Sequence, residues 1–417
     1  MKKLLTVTFF TGMLTFFKMI SGFIISKIVA IYTGPSGIVL FGQIQSIVSA
    51  LNGVINSPVG PGIVRFTAEN HRKGLEHCYK WWIAGLSWVC IISAIIIPLS
   101  ITLSSHIAFW TLGSEKYSWV IILTACLLPL TAIGTFISSV INGFQNYKVY
   151  VLLGIISAFL SLIIMIALIV FGKINGALLA ISVQNALIGG VMIIYASSQP
   201  WFNLRWLYGR VHKTYYKDIQ RYIVMAITSA IVVPGSLIIV RNIIIHYVGW
   251  TEAGYWQAVW KISETYLAII TIALSTYYLP RLSSLSQKDD IIKEISSSLK
   301  IIIPLVMFFS MGIYLSRDFI ISLLFTKEFL GARMLFQVQL IGDILKIASW
   351  LYAYVMISKG MTQLFVISEV LFSLLFISFS LVFIRCYGLI GVTYAYCLNY
   401  FIYLVFSVVV VKRAKYD

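Results

Sequence analysis

Apolar residues fill this chain in long runs, and polar residues are confined to the gaps between them. A membrane-spanning helix needs ~20 mostly apolar residues, and runs of that length recur from end to end. The pattern predicts an all-α polytopic membrane protein with 12 spans, near 4–31, 37–60, 80–105, 118–142, 149–171, 174–198, 219–246, 253–279, 299–324, 333–357, 363–385 and 388–411. Gly172-Lys173-Ile174-Asn175-Gly176 and Cys386-Tyr387-Gly388 are connections short enough to force antiparallel neighbours. The longest polar loops are predicted at 62–79, 199–218 and 280–298, and the segment from Arg317 to Phe329 reads as amphipathic. The first apolar run, Leu4 to about Tyr32, is too long for a signal-peptide core and carries Lys18 and Lys27. It is predicted to be the first span.

Composition agrees. Apolar residues make up 60% and charged residues 11%, against about 25% charged in a soluble protein, so the lipid bilayer is the expected surrounding. The net charge of +17 comes from 31 Lys and Arg against 14 Asp and Glu. No nucleic-acid partner is expected, because no basic segment is both long and aromatic-interleaved outside the spans. Cytoplasmic loops collect Lys and Arg instead. With the N-terminus inside, the inner segments hold 20 of these cations and the outer ones six: Lys116, Lys173, Arg317, Lys327, Arg333 and Arg385. That bias predicts an inner-membrane protein with both termini cytoplasmic. Cys78, Cys90, Cys126, Cys386 and Cys397 form no CxxC pair and gather no histidines, so neither disulfide nor metal site nor cofactor is expected. They read as small packing residues.

A repeat is legible. Tyr32 and Gly34 after span one match Tyr247 and Gly249 after span seven at an offset of 215, and Gly37 matches Gly254 at 217. Gly143 matches Gly360 at 217, Gly176 matches Gly391 at 215, and Glu115 matches Glu328 at 213. Two halves of six spans follow, 1–210 and 211–417. An even number of spans makes them parallel, related by an axis along the membrane normal. Substrate sites in such folds lie at the repeat interface near the midplane.

Ionisable groups inside spans cost at least ~2.5–3.5 kcal/mol at a helix centre and mark a partner or a cavity. The cations are Lys18, Lys27, Arg241, Lys261 and Lys346; the acids are Glu264, Asp343 and Glu369. Lys18 lies ~14 residues into span one, ~21 Å along the axis, out of comfortable reach of either interface. Lys27 and Arg241 sit nearer the outer ends, where snorkelling competes with a cavity role. Lys261 and Glu264, and likewise Asp343 and Lys346, share a helix face at i, i+3. Each pair reads either as self-neutralised or as a cation held ready for an anion, with Glu264 or Asp343 able to exchange a proton or ion. Glu369 reads as a water-exposed residue near the cytoplasmic mouth. The run Asn56-Ser57-Pro58-Val59-Gly60-Pro61-Gly62 cannot stay helical, and Pro129, Pro234 and Pro304 are kink candidates. Tyr255, Trp256, Trp260, Tyr266, Trp350 and Tyr354 fall within spans eight and ten. Packing is the simpler reading for each, and a sugar path the sharper one.

From Trp256 through Lys261-Ile262-Ser263-Glu264 to Tyr266-Leu267, the chain resembles the O-antigen and lipid III flippases of enteric bacteria. Tyr278-Leu279-Pro280-Arg281-Leu282-Ser283, Gln339-Leu340-Ile341-Gly342-Asp343-Ile344-Leu345-Lys346 and the Gly34-Pro35-Ser36-Gly37 turn carry the same likeness. Lys261 departs from it, standing where the lipid III flippases have a small polar residue. These flippases belong to the multidrug/oligosaccharidyl-lipid/polysaccharide exporter superfamily. The resemblance implies 12 helices in two pseudo-symmetric six-helix bundles around a central cavity, and movement of undecaprenyl-diphosphate-linked oligosaccharide from the cytoplasmic to the periplasmic leaflet. It also implies separate partners, an O-antigen polymerase and its chain-length regulator among them. Two alternatives compete. A membrane-embedded polymerase or ligase needs a sizeable outer loop, and the sequence offers none. A cation-coupled drug exporter favours acids in its cavity, whereas five cations face three acids here.

Overall fold

The computed structural model describes residues 2–203, 207, 209, 211–285 and 287–413, and every regular element among them is helical. Of the cations behind the predicted orientation, Arg205, Arg210 and Lys415 lie outside the described residues, as do the side chains of Lys2, Lys3 and Arg221.

Helix α1 (Lys2–Asn56) breaks at Gly34, whose φ of 65° and ψ of −168° a side chain would oppose. Pro35 follows, in the first turn of the next stretch, where its missing N–H costs nothing. A 3-10 turn, Ser57–Val59, ends this helix at the predicted Pro/Gly run, and α2 (Pro61–Asn70) restarts on Pro61. There follow α3 (Tyr79–Thr102), α4 (Ser104–Leu112), α5 (Ser118–Gly143) and α6 (Tyr147–Ala196), which breaks at Lys173. Next come α7 (Lys213–Tyr247) and α8 (Trp250–Ala273), the latter closing in a π-helical turn over Leu274–Tyr278. The remainder is α9 (Leu279–Ser284), α10 (Lys288–Leu315), α11 (Arg317–Leu324), α12 (Phe336–Ser358), α13 (Thr362–Tyr387) and α14 (Gly391–Arg413).

Among the described residues, 8 continuous helical stretches are long and apolar enough to cross a bilayer. Three of them, through α1, α6 and α13–α14, each hold two spans on either side of a break or turn, and α8 adds the charged span, so the total is 12. Phe171 is 89% exposed and Phe308 73%; side chains like these on helix surfaces need acyl chains to cover them. The chain is a multi-pass membrane protein.

Two predicted loops prove largely helical, and a third ends in a helix. Residues 62–79 contain α2 and two short 3-10 turns, 280–298 contain α9 and the start of α10, and 199–218 run into α7. Their polar residues mark amphipathic helix ends, which hydropathy alone reads as loop. Predicted span nine is two elements: the helix stops at Leu315 and α11 begins after Ser316. Cys78 is buried as expected, but Cys90, Cys126 and Cys386 are exposed, since a thiol is apolar enough to face lipid.

The chain divides into two compact units, Met1–Tyr32 with Leu40–Gly235, and Thr33–Val39 with Ser236–Asp417. The first unit keeps the opening of α7 beyond residue 210 because side chains tie it there. Trp81 Nε1 donates to Asp218 Oδ2 (3.3 Å) and Trp88 Nε1 to the Tyr216 carbonyl (3.4 Å). Its core centres on fully buried Trp82, which donates to Thr67 Oγ1 at 2.8 Å and meets Phe136, Phe144 and Trp201 edge-on. In the second unit α12 packs against α8, α10 and α14.

Backbone conformation sharpens the repeat. Gly34 and Gly249 both have positive φ at the break between two spans. Lys173 and Gly388 also share positive φ, again 215 residues apart. A Cβ on Gly176 would run into the Leu168 carbonyl, and one on Gly391 into the Phe383 carbonyl, the same eight-residue step in each half. The expected pairing of Gly143 with Gly360 is corrected: the positive-φ partner of Gly360 is Gln145, in the 215 register. Gly143 instead closes α5 against Thr67. Gly37 and Gly254 do not share a register either; Gly37 lies under its own Thr33, whereas Gly254 meets Pro35.

Candidate functional site

Gln339, Asp343, Lys346 and Trp350 fall on one face of α12, at spacings of four, three and four. A spanning helix with such a face must turn it away from lipid. It does: Gln339 and Asp343 are fully buried and Lys346 is 9% exposed. Opposite stand Trp256, Trp260 and Ser263 of α8 and Tyr396 and Tyr400 of α14, each set again on one face. Gly342 lets α14 close in, because a Cβ there would strike the Tyr396 ring.

Asp343 is held by three hydroxyls. Ser263 Oγ (2.7 Å) and Tyr266 Oη (2.9 Å) donate to Oδ2, and Tyr396 Oη (2.9 Å) donates to Oδ1. Hydrogen bonds to a charged group contribute about 1.5–3 kcal/mol each, so this cradle suits an ionised carboxylate. Tyr266 Oη also lies 3.3 Å from Ser310 Oγ of α10.

Lys346 sits in a ring of four aromatic side chains. Its Nζ lies 5.1 Å from the Trp350 centroid, 5.4 Å from Trp260, 5.5 Å from Tyr400 and 5.8 Å from Tyr396. Desolvated cation–π contacts contribute up to about 2 kcal/mol each, and an ion pays several kcal/mol on burial, so the rings are of the size needed to hold it. Asp343 and Lys346 therefore do not form the self-neutralised contact that their spacing allowed. Each is satisfied by other groups, and no ion pair joins them. Lys261 and Glu264 form no ion pair either; Lys261 is half-buried and Glu264 is exposed.

Arg241 of α7 is 2% exposed. Its Nε donates to Gln257 Oε1 at 2.6 Å and its guanidinium lies 5.9 Å from the Trp256 ring, so it is anchored inward and does not snorkel. Glu264 acts electrostatically on both Arg241 and Lys346. Glu369 is half-buried rather than a water-exposed mouth residue, and acts on Tyr400 and Tyr403. The second unit thus gathers Arg241, Glu264, Asp343 and Lys346 around α8 and α12. Lys18 and Lys27 belong to the first unit, where Lys18 is exposed and Lys27 half-buried.

Trp256 Nε1, Trp260 Nε1, both amide atoms of Gln339 and Asn399 Oδ1 are buried with no hydrogen-bond partner among the described residues. Buried polar groups are rarely left so, and they make this the polar seam of the unit. Gln257, Ser263, Tyr396, Tyr400 and the cage role of Trp260 and Trp350 escaped the sequence reading. Their helical spacing was visible, but nothing in one sequence says which face of α14 meets which face of α12.

The polysaccharide biosynthesis protein family matches residues 4–286. The lipid III flippase of Escherichia coli (strain K12) is 26% identical over 400 residues, covering 94% of each chain, and that of Shigella flexneri matches equally. Among solved structures, an inward-facing multidrug resistance MATE family transporter of the MOP superfamily covers 98% of both chains with a TM-score of 0.79 at 13% identity. A MOP superfamily transporter from Pyrococcus furiosus covers 98% of this chain and 96% of its own, with a TM-score of 0.69 at 12% identity. At these identities the two structures establish the fold.

Proposed function

The chain belongs to the polysaccharide biosynthesis protein family, and from that premise we propose that it is a flippase for lipid-linked oligosaccharide. It moves an undecaprenyl-diphosphate-linked unit, an O-antigen unit or the lipid III of enterobacterial common antigen, from the cytoplasmic to the periplasmic leaflet by alternating access. The observation that carries this reading is the likeness to the lipid III flippases over 94% of both chains. The site supports it: a spanning bundle that buries Arg241 and Lys346 among aromatic rings has cations to offer an anionic headgroup. Lys18, Lys27, Arg241, Lys261 and Lys346 are the candidates to meet the diphosphate, and Asp343 and Glu264 to exchange a proton or ion.

The halves 1–210 and 211–417 are the two six-span repeats of the transporter in this reading. The chain lies in the inner membrane with both termini cytoplasmic, and hands its product to an O-antigen polymerase with its chain-length regulator. Leaflet analysis in a strain lacking the gene tests the function. Lipid-linked units trapped on the cytoplasmic face are the expected result. Normal periplasmic delivery, with no other flippase substituting, contradicts it.

A further inference from the structure

Tyr396 touches both Asp343 and Lys346. The Tyr396 hydroxyl donates to Asp343 Oδ1, and the Tyr396 ring is one wall of the Lys346 cage, 5.8 Å from Nζ. We infer that Tyr396 is a positioning residue that transmits the charge state of Asp343 to Lys346, holding the one through its hydroxyl and the other through its ring.

The distribution of donors gives the direction. Oδ2 of Asp343 accepts from Ser263 and Tyr266, whereas Oδ1 accepts from Tyr396 alone among the described residues. A proton arriving at the carboxylate therefore displaces fewest hydrogen bonds on Oδ1. There the acid O–H and the Tyr396 O–H compete for one contact, and the tyrosine must turn from donor to acceptor. Its bond, charge-assisted before, falls to roughly half its strength. Tyr266 can fall back on Ser310 Oγ; among the described residues Tyr396 has no second hydrogen-bond partner. Its ring is also closely seated, since Gly342 leaves no more than the space it fills. Loosening Tyr396 opens one wall of the cage at the moment when Lys346 loses the negative charge of Asp343. The ammonium is then free to move toward another anion.

The groups acting on this pair are Tyr266 and Glu264 of α8 and Tyr396 and Tyr400 of α14, with Glu369 of α13 acting through Tyr400. Helix α10 contributes the neutral Ser310 hydroxyl.

This inference rests on the reading of Asp343 as the group that takes up a proton during transport, but its test needs no lipid-linked substrate. Trp260 and Trp350 flank the ammonium, so tryptophan emission of the purified full-length chain reports its position. In a pH titration the wild type should show an emission step that Lys346→Met, which keeps the rings and removes the cation, lacks. Asp343→Asn should hold the acid-end signal throughout. Tyr396→Phe keeps ring and cation and should lose the step, whereas Tyr266→Phe should retain it. If Tyr396→Phe does not fold, Gly342→Ala, whose Cβ would strike the Tyr396 ring, should lose the step instead. A step that survives in Tyr396→Phe or Gly342→Ala overturns the inference. So does a wild type indistinguishable from Lys346→Met, or an Asp343→Asn that follows the wild type. A missing step in a chain that still moves lipid-linked glycan sinks the coupling and leaves the function standing; a step in a chain that moves none does the reverse.

Discussion

An ammonium in hydrocarbon is stable only where something replaces its water, and each spanning cation meets that demand differently. Lys346 finds four rings and Arg241 finds Gln257 and Trp256, whereas Lys18 stands exposed on α1. If its charge serves the substrate, Lys18→Arg should retain more transport than Lys18→Gln or Lys18→Ala at equal membrane abundance. The last should lose about tenfold, the equivalent of ~1.4 kcal/mol; normal glycan export by Lys18→Ala would show that the lysine is merely tolerated. The charged residues of the site could be read from sequence because charge inside an apolar run has no other explanation. The residues that hold them could not. Tyr396 and Tyr400 look like any aromatic in a membrane helix until α14 is known to face α12. The i, i+3 spacing of Asp343 and Lys346 left a direct contact open, whereas hydroxyls and rings hold the two groups and no ion pair joins them.

Helix boundaries followed the same logic. Positions that demand a special backbone, such as Gly34 with Pro35 and the Pro/Gly run at 56–62, ended helices where expected. Amphipathic stretches such as α2 and the start of α10 were mistaken for loops, because their polar faces lower the hydropathy without breaking the helix. Close helix pairs were legible only as isolated glycines. Gly134 of α5 meets Gly189 of α6 so closely that a Cβ on Gly134 would lie 2.5 Å from the Gly189 Cα. Small residues of this kind let membrane helices approach. Gly134→Leu should therefore force α5 from α6 and cost about 1–3 kcal/mol, seen as a lower melting temperature of the detergent-solubilised protein. An unchanged melting temperature would mean that the contact does not hold the first unit together.

At the scale of the molecule, the 215-residue register recurs in backbone conformation at three span junctions, and the loop charge predicts an orientation. Single cysteines at Tyr216 and Lys116, in a cysteine-free background, should label from the cytoplasm and the periplasm respectively. Labelling of both from the periplasm refutes the topology. The background matters because Cys90, Cys126 and Cys386 are exposed, whereas burial pushes the Cys78 thiol up to about 11 and leaves it inert at neutral pH. The central claim, that this chain carries a lipid-linked glycan across the bilayer, is tested most directly with the purified protein in sealed vesicles. Lipid-linked O-units are placed in one leaflet, and a membrane-impermeant glycosidase is added on the opposite side. Protein-dependent cleavage beyond that in empty vesicles, reduced by Lys18→Ala, is the predicted result; cleavage equal with and without the protein contradicts it.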